Sequence, residues 1–88
     1  VDIEVVDDPQ QHRFELRVDG AHAGAAYYRL HPGEIVFTHT EVDQAYEGQG
    51  LGSKLAAGAL QQTRERGLRV VPQCPFIAAY LKRHPELS

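Results

Sequence analysis

At 88 residues, with 42 % hydrophobic and 24 % charged side chains and a formal net charge of −3, the chain has the size and composition of one small globular domain. No apolar run approaches the ~20 residues of a membrane span, nothing resembles a signal peptide, and the basic residues lack the stacking aromatics of a nucleic-acid surface. A single cysteine, Cys74, excludes an internal disulfide, fits a reducing cytoplasm and, with scattered histidines, leaves no zinc pattern, so no metal is expected. The sequence starts at Val1 and contains no Met, as expected of a removed initiator or an excised domain. Charge is uneven along it. Residues 1–50 carry ten acids against three arginines, a net of −7, whereas residues 51–88 carry six bases against two acids, a net of +4.

Residues 3–6 read as a short strand closed by Asp8-Pro9. Phe14, Leu16 and Val18 then alternate with Arg13, Glu15 and Arg17, a half-buried strand ending at the turn Asp19-Gly20. Residues 23–30 form the next arm, and Pro32-Gly33 turns the chain into a strand over 34–42. Such short connections imply an antiparallel meander. On the last arm, Ile35, Phe37, His39 and Glu41 alternate onto one face, leaving β-branched Val36, Thr38, Thr40 and Val42 to pack beneath a helix.

From Leu51 the period changes. Leu51, Leu55, Ala56, Ala59, Leu60 and Thr63 recur at helical spacing, and Gly67 is a natural stop. Leu68, Val70 and Val71 read as a short buried strand before Pro72, and Cys74-Pro75 opens a second helix that runs to about Arg83, with Phe76, Ile77 and Leu81 in the core. A strand–helix–strand crossover sets the late strand parallel to 35–42.

Glu47-Gly48-Gln49-Gly50-Leu51-Gly52-Ser53-Lys54 stands between the strand and the helix, with three glycines at every second position. Glycine admits positive φ and close approach of a ligand, and a helix that begins there offers free N–H groups and a positive dipole end. The geometry is that of a phosphate site. A dinucleotide fingerprint fails on glycine spacing, and a P-loop fails because Gly52-Ser53-Lys54 has the wrong order.

The spacing does resemble the acyl-CoA loop of the GNAT acetyltransferases, Gln/Arg-x-x-Gly-x-Gly/Ala, laid over Glu47-Gly48-Gln49-Gly50-Leu51-Gly52. The whole chain is similar to the small stand-alone GNAT-like proteins through His39-Thr40-Glu41-Val42, Gly48-Gln49-Gly50-Leu51-Gly52 and Pro72-Gln73-Cys74-Pro75-Phe76, ending at His84-Pro85-Glu86. Glu47 departs from the superfamily pattern, which has Gln or Arg there. The resemblance implies a minimal GNAT fold of α/β class (α+β mixed sheet): an antiparallel meander, a β-α-β crossover and a C-terminal helix. It also implies acetyl-CoA as cosubstrate, bound by Val42, Glu47, Gly48, Gln49, Gly50, Leu51, Gly52, Ser53 and Lys54, and an amine acceptor that is a small molecule or a protein.

Two sets of residues suit the chemistry. His39 and Glu41, about 7 Å apart along one strand face, make a base and its partner, unless they are a satisfied histidine and an exposed acid. Cys74, at the N-cap of the last helix, is placed for a thiolate that carries the acetyl group, or for filling space beside the thioester. Tyr80 is the tyrosine that, by the resemblance, protonates the departing thiolate, and otherwise a packing group. The expected function is acetyl-CoA-dependent N-acetyl transfer; the alternative is a non-catalytic CoA-binding or protein-interaction module. Either a monomer or a homodimer is compatible with an open sheet edge.

Overall fold

The computed structural model describes residues 2–87. Five strands, β1 (Ile3–Asp8), β2 (Arg13–Val18), β3 (Ala21–His31), β4 (Glu34–Val42) and β5 (Arg69–Pro72), form one sheet in chain order. The first four are antiparallel and β5 lies parallel to β4. Tight turns force the meander: Asp19 and Gly20 both have positive φ (50° and 84°), the twist a two-residue hairpin loop needs. Helix α1 (Leu51–Glu65) crosses from β4 to β5, and α2 (Pro75–Arg83) follows with Pro75 in its first turn. The mixed α/β architecture is the expected one. Element ends differ: β1 extends to Asp8, and β5 is a half-buried edge strand rather than a buried one.

Both helices share one core with one face of the sheet. Phe14, Leu16, Tyr28, Ile35 and Phe37 rise from the strands to meet Leu51, Leu55, Ala59 and Leu60 of α1 and Ile77 and Tyr80 of α2. Phe76, expected in the core, is 38 % exposed. Helix α1 comes close to β1 because Gly58 faces Val5, where a Cβ would sit 2.6 Å from the valine methyl. Two side chains fasten the same edge. Gln62 Nε2 donates to the Val5 carbonyl at 2.8 Å, and Asp7 accepts both Arg66 and the Tyr28 hydroxyl, the latter at 2.5 Å. Burial, with that carboxylate, pushes the Tyr28 phenol well above its usual range.

The other face carries Arg13, Glu15, Arg17, His22, Tyr27, His39 and Glu41, with Ala25 and Val36 buried beneath them. No helix among the described residues covers it. Glu15, only 8 % exposed, accepts Arg17 Nε and pairs with His22 Nδ1, both at 2.7 Å. Hydrogen bonds from His22 and Arg17 hold its carboxyl below the ordinary value of 4.5. His22 is therefore tied to the sheet.

Gly58→Ala should lower stability by about 1–3 kcal/mol through overpacking, and Val5→Ala should restore part of it in a urea melt. The depressed Glu15 pKa means that acidification protonates the unfolded chain first. Its stabilisation is complete above 4.5 and is lost as pH falls through the lower, folded value. Wild type should therefore be more stable than Glu15→Gln at neutral pH, with the gap closing below about pH 4.5; a pH-independent difference in melts would contradict the pairing.

Candidate functional site

Strand β4 is irregular on both of its edges at one position. Along β3, Tyr28 faces Phe37 but Tyr27 faces His39, so Thr38 is one residue too many. Such a β-bulge reverses the alternation of side chains beyond it. Ile35 and Phe37 point into the core, whereas His39 and Glu41 emerge on the open face, opposite Tyr27 and Ala25. The expected sharing of a face by Ile35, Phe37, His39 and Glu41 is thus corrected, and so is the packing of Val36 and Thr38 under a helix, since Val36 is buried on the open face. Thr38 is exposed, while Thr40, opposite Ala26, returns to the helix side.

Along the other edge, pairing with β5 stops at Phe37 and Pro72, and Cys74 N donates to Phe37 O at 2.8 Å as the last rung. Residues 38–42 then continue with no strand beside them on that edge. Strand β5 ends at Pro72 and the chain turns into α2 at Cys74, so the ladder between β4 and β5 leaves a gap beyond Cys74.

The glycine segment opens at the same end of the sheet. A single 3₁₀ turn, Gln44–Tyr46, leads to Glu47, which is extended and exposed. Gly48 and Gly50 have φ of 81° and 73°, and a Cβ on either would meet nothing within 4 Å. Gly50 is the left-handed N-cap of α1, with no side chain capping the helix. The first-turn amides of Leu51, Gly52 and Ser53 consequently face the loop without a side-chain acceptor. The Leu51 side chain itself is core, Val42 is half-buried opposite Gly24, and Gln49, Ser53 and Lys54 are exposed. Gly52 serves packing: its φ is ordinary, and a Cβ would lie 3.0 Å from the Phe76 ring. That contact sets the N-terminus of α2, also without a side-chain cap, against that of α1.

Cys74 is the N-cap of α2, 3 % exposed, with Sγ 3.3 Å from Thr40 Oγ1. On the opposite face, His39 Nε2 lies 3.5 Å from Glu41 Oε2, the two side chains being 63 % and 48 % exposed. The structure therefore unites His39 with Glu41, and Cys74 with Thr40, and puts the sheet between the pairs. Tyr80 is 7 % exposed and stacked on His84 at 4.3 Å, about 9 Å along the helix from Cys74 by the helical rise. Concavities of about 520 and 550 Å³ lie around the C-terminal part of α1 and hold none of the candidate residues. Sequence reasoning missed Thr40 and Tyr27, because unbroken alternation puts one under packing and leaves the other unassigned.

Residues 13–88 match the GCN5-related N-acetyltransferase family. Protein NATD1 of Mus musculus is 34 % identical over 85 residues, covering 94 % of this chain and 77 % of that protein. NATD1 of Homo sapiens is 33 % identical over 85 residues, with coverages of 94 % and 75 %. In fold, the chain is similar to a ribosomal-protein-alanine N-acetyltransferase from Brucella melitensis biovar Abortus 2308, with a TM-score of 0.58 and 20 % identity. That match covers 86 % of this chain but only 60 % of the Brucella protein. The chain belongs to the GCN5-related N-acetyltransferase family.

Proposed function

We propose that this protein is an acetyl-CoA-dependent N-acetyltransferase whose amine acceptor meets the thioester in the gap between β4 and β5. The observation that carries this reading is the end of β4–β5 pairing at Phe37, with the uncapped first turn of α1 at the same end. The residues present fit the cosubstrate. Clear space in front of Gly48 and Gly50, with free amides behind it, suits a pyrophosphate held by the backbone of residues 48–52 and the Ser53 hydroxyl. Lys54 adds a cation one turn on. Glu47 opposes the same charge, but an exposed carboxylate can turn to solvent at little cost.

Acetyl-CoA supplies the activated carbonyl: the amine nitrogen bonds to it as the carbon–sulfur bond breaks, and the sulfur leaves with a proton. His39 takes the amine's proton at Nδ1, while Nε2 faces Glu41, which stabilises the imidazolium so formed. The exposed ring then passes that proton to water. A direct transfer is favoured over an acetyl-Cys74 intermediate by what surrounds the thiol. Its side-chain hydrogen bond is to a threonine hydroxyl, while His39 emerges on the other face and His84 is stacked on Tyr80 further along α2. A buried thiol beside a neutral hydroxyl is a poor nucleophile. Cys74 and Thr40 instead wall the apex of the gap. Thiolate protonation falls to solvent, since Tyr80 is stacked into the core further along α2.

Titrating labelled protein with acetyl-CoA should shift the amides of residues 48–54 most, with smaller shifts at 71–76. Gly50→Asp should abolish those shifts while leaving the rest of the spectrum; unchanged affinity would sink the loop assignment. Thiol release should then be followed with an alanine-terminated peptide and with spermidine as acceptors. Glu41→Gln and His39→Ala should slow turnover by about 10²-fold or more, and Cys74→Ala should keep most of it. Loss of all turnover in Cys74→Ala would favour the covalent route. Binding without turnover would leave an acyl-CoA-binding module.

A further inference from the structure

The proposed acid–base pair is held by almost nothing of its own. His39 and Glu41 are 63 % and 48 % exposed, and such side chains normally sample several rotamers. One neighbour touches both. The Tyr27 ring lies nearly parallel to the His39 ring, at 6.0 Å between centroids and 18° between planes, and the Tyr27 hydroxyl donates to Glu41 Oε1 at 3.2 Å. Behind it, Arg13 Nη1 donates to the same hydroxyl at 3.4 Å, with the guanidinium carbon 6.0 Å from the ring centroid. Arg13, Tyr27 and His39 are direct partners across three strands, a register that exists only because Thr38 is extruded.

Arg13 is itself anchored. Its side chain is 16 % exposed, 3.6 Å from Glu15 and 3.8 Å from Asp8. Its Nε is buried with no hydrogen bond among the described residues. That atom is the one 3.8 Å from Asp8 Oδ2, so the near end of the guanidinium is held by charge alone while Nη1 at the far end makes the hydrogen bond to Tyr27.

We infer that Tyr27 is a positioning residue for acyl transfer, and that Arg13 locks it, so that Arg13–Tyr27–Glu41–His39 forms a clamp fixing both members of the base pair on an otherwise uncovered face. This rests on the acetyltransferase reading above. The hydroxyl leaves Glu41 Oε1 engaged and Oε2 turned to His39, and the ring limits where the imidazole can go. Misorientation of a catalytic group by a fraction of an ångström lowers kcat more than it changes binding of the cosubstrate.

The test uses Tyr27→Phe, which keeps the ring and removes the hydroxyl, with Arg13→Gln as its second arm. Tyr27→Phe should lower kcat about tenfold, with the KM for acetyl-CoA unchanged. The loss should vanish in a Glu41→Gln background, because a residue acting through Glu41 has nothing left to act on. Arg13→Gln should give a smaller loss of the same kind. An unchanged kcat, or a full tenfold loss that persists without Glu41, would overturn the inference. In parallel, the Glu41 side-chain carboxyl and His39 ring resonances are read by NMR without any substrate. They should move in Tyr27→Phe and Arg13→Gln, and the His39 ring-current shift should survive in Phe and disappear in Tyr27→Leu. If the wild type releases no thiol with either amine, the acetyltransferase reading fails on its own. The clamp then stands or falls by those resonances: perturbed they uphold it, unmoved they refute it.

Discussion

The organisation of this protein depends on how β4 is bonded on its two edges. Towards β3 it carries one extra residue, Thr38, and towards β5 its ladder ends at Phe37. A bulge increases local twist and bends the strand that bears it. The bulge and the end of the β5 ladder fall at adjacent residues, Thr38 and Phe37, so both edges of β4 change at one place. The same residue swaps the faces of everything after it. Were Thr38 paired regularly with Tyr27, His39 would sit opposite Ala26, beneath the helices, and Thr40 would lie on the open side. An imidazole there would lie on the apolar, helix-covered side, where burying it costs free energy unless its ring nitrogens find partners.

Placing both helices on one face has its own consequence for packing. So short a chain buries a limited share of its surface, and the core has to be gained from close approach rather than bulk. Small residues on α1 allow that: Ala56, Ala59 and Gly58 lie against the sheet, and Gly52 admits the Phe76 ring. The open face compensates differently. There the covering layer consists of side chains from the strands themselves, with Arg13, Arg17 and His22 folded over Glu15 and with Ala25 sealed beneath. Charge pairing of this kind contributes little at a fully wet surface. Around a carboxylate that is 8 % exposed it contributes more, since loss of either partner leaves a buried charge unmatched.

Most of the architecture was legible in the sequence because each element is locally self-consistent. Alternation over 13–18, the turns at Asp19-Gly20 and Pro32-Gly33, the helical period from Leu51 and the Cys74-Pro75 start all express short-range preferences. The glycine segment was legible too, down to the positive φ at Gly48 and Gly50, though not the reason for Gly52, which is set by a ring 24 positions away. The face of His39 was not legible. A bulge is a property of the pairing between two strands, and Phe37-Thr38-His39 reads as unbroken alternation when β3 is not beside it. Tyr27 was equally hidden: its parity on β3 is plain, but its contact with Glu41 and Arg13 exists only across three paired strands.

Exposure of the proposed acid–base pair would shape its chemistry as much as its identity does. A buried base needs a proton path; His39, more than half exposed, exchanges directly with water and needs none. What exposure removes is definition, because solvent competes for every hydrogen bond and each side chain loses entropy when held. The structure answers with the least mobile groups within reach. An aromatic ring has two rotatable torsions, and a planar guanidinium pinned between two carboxylates has few accessible states. Rigidity is thereby passed outward from the buried Glu15, through Arg13 and Tyr27, to the two residues that face the solvent. The order of burial along that chain, from 8 % at Glu15 to 63 % at His39, is the order in which position becomes harder to hold. Two exposed side chains can therefore hold a defined geometry on an uncovered sheet face, provided that the residues behind them are fixed in this sequence.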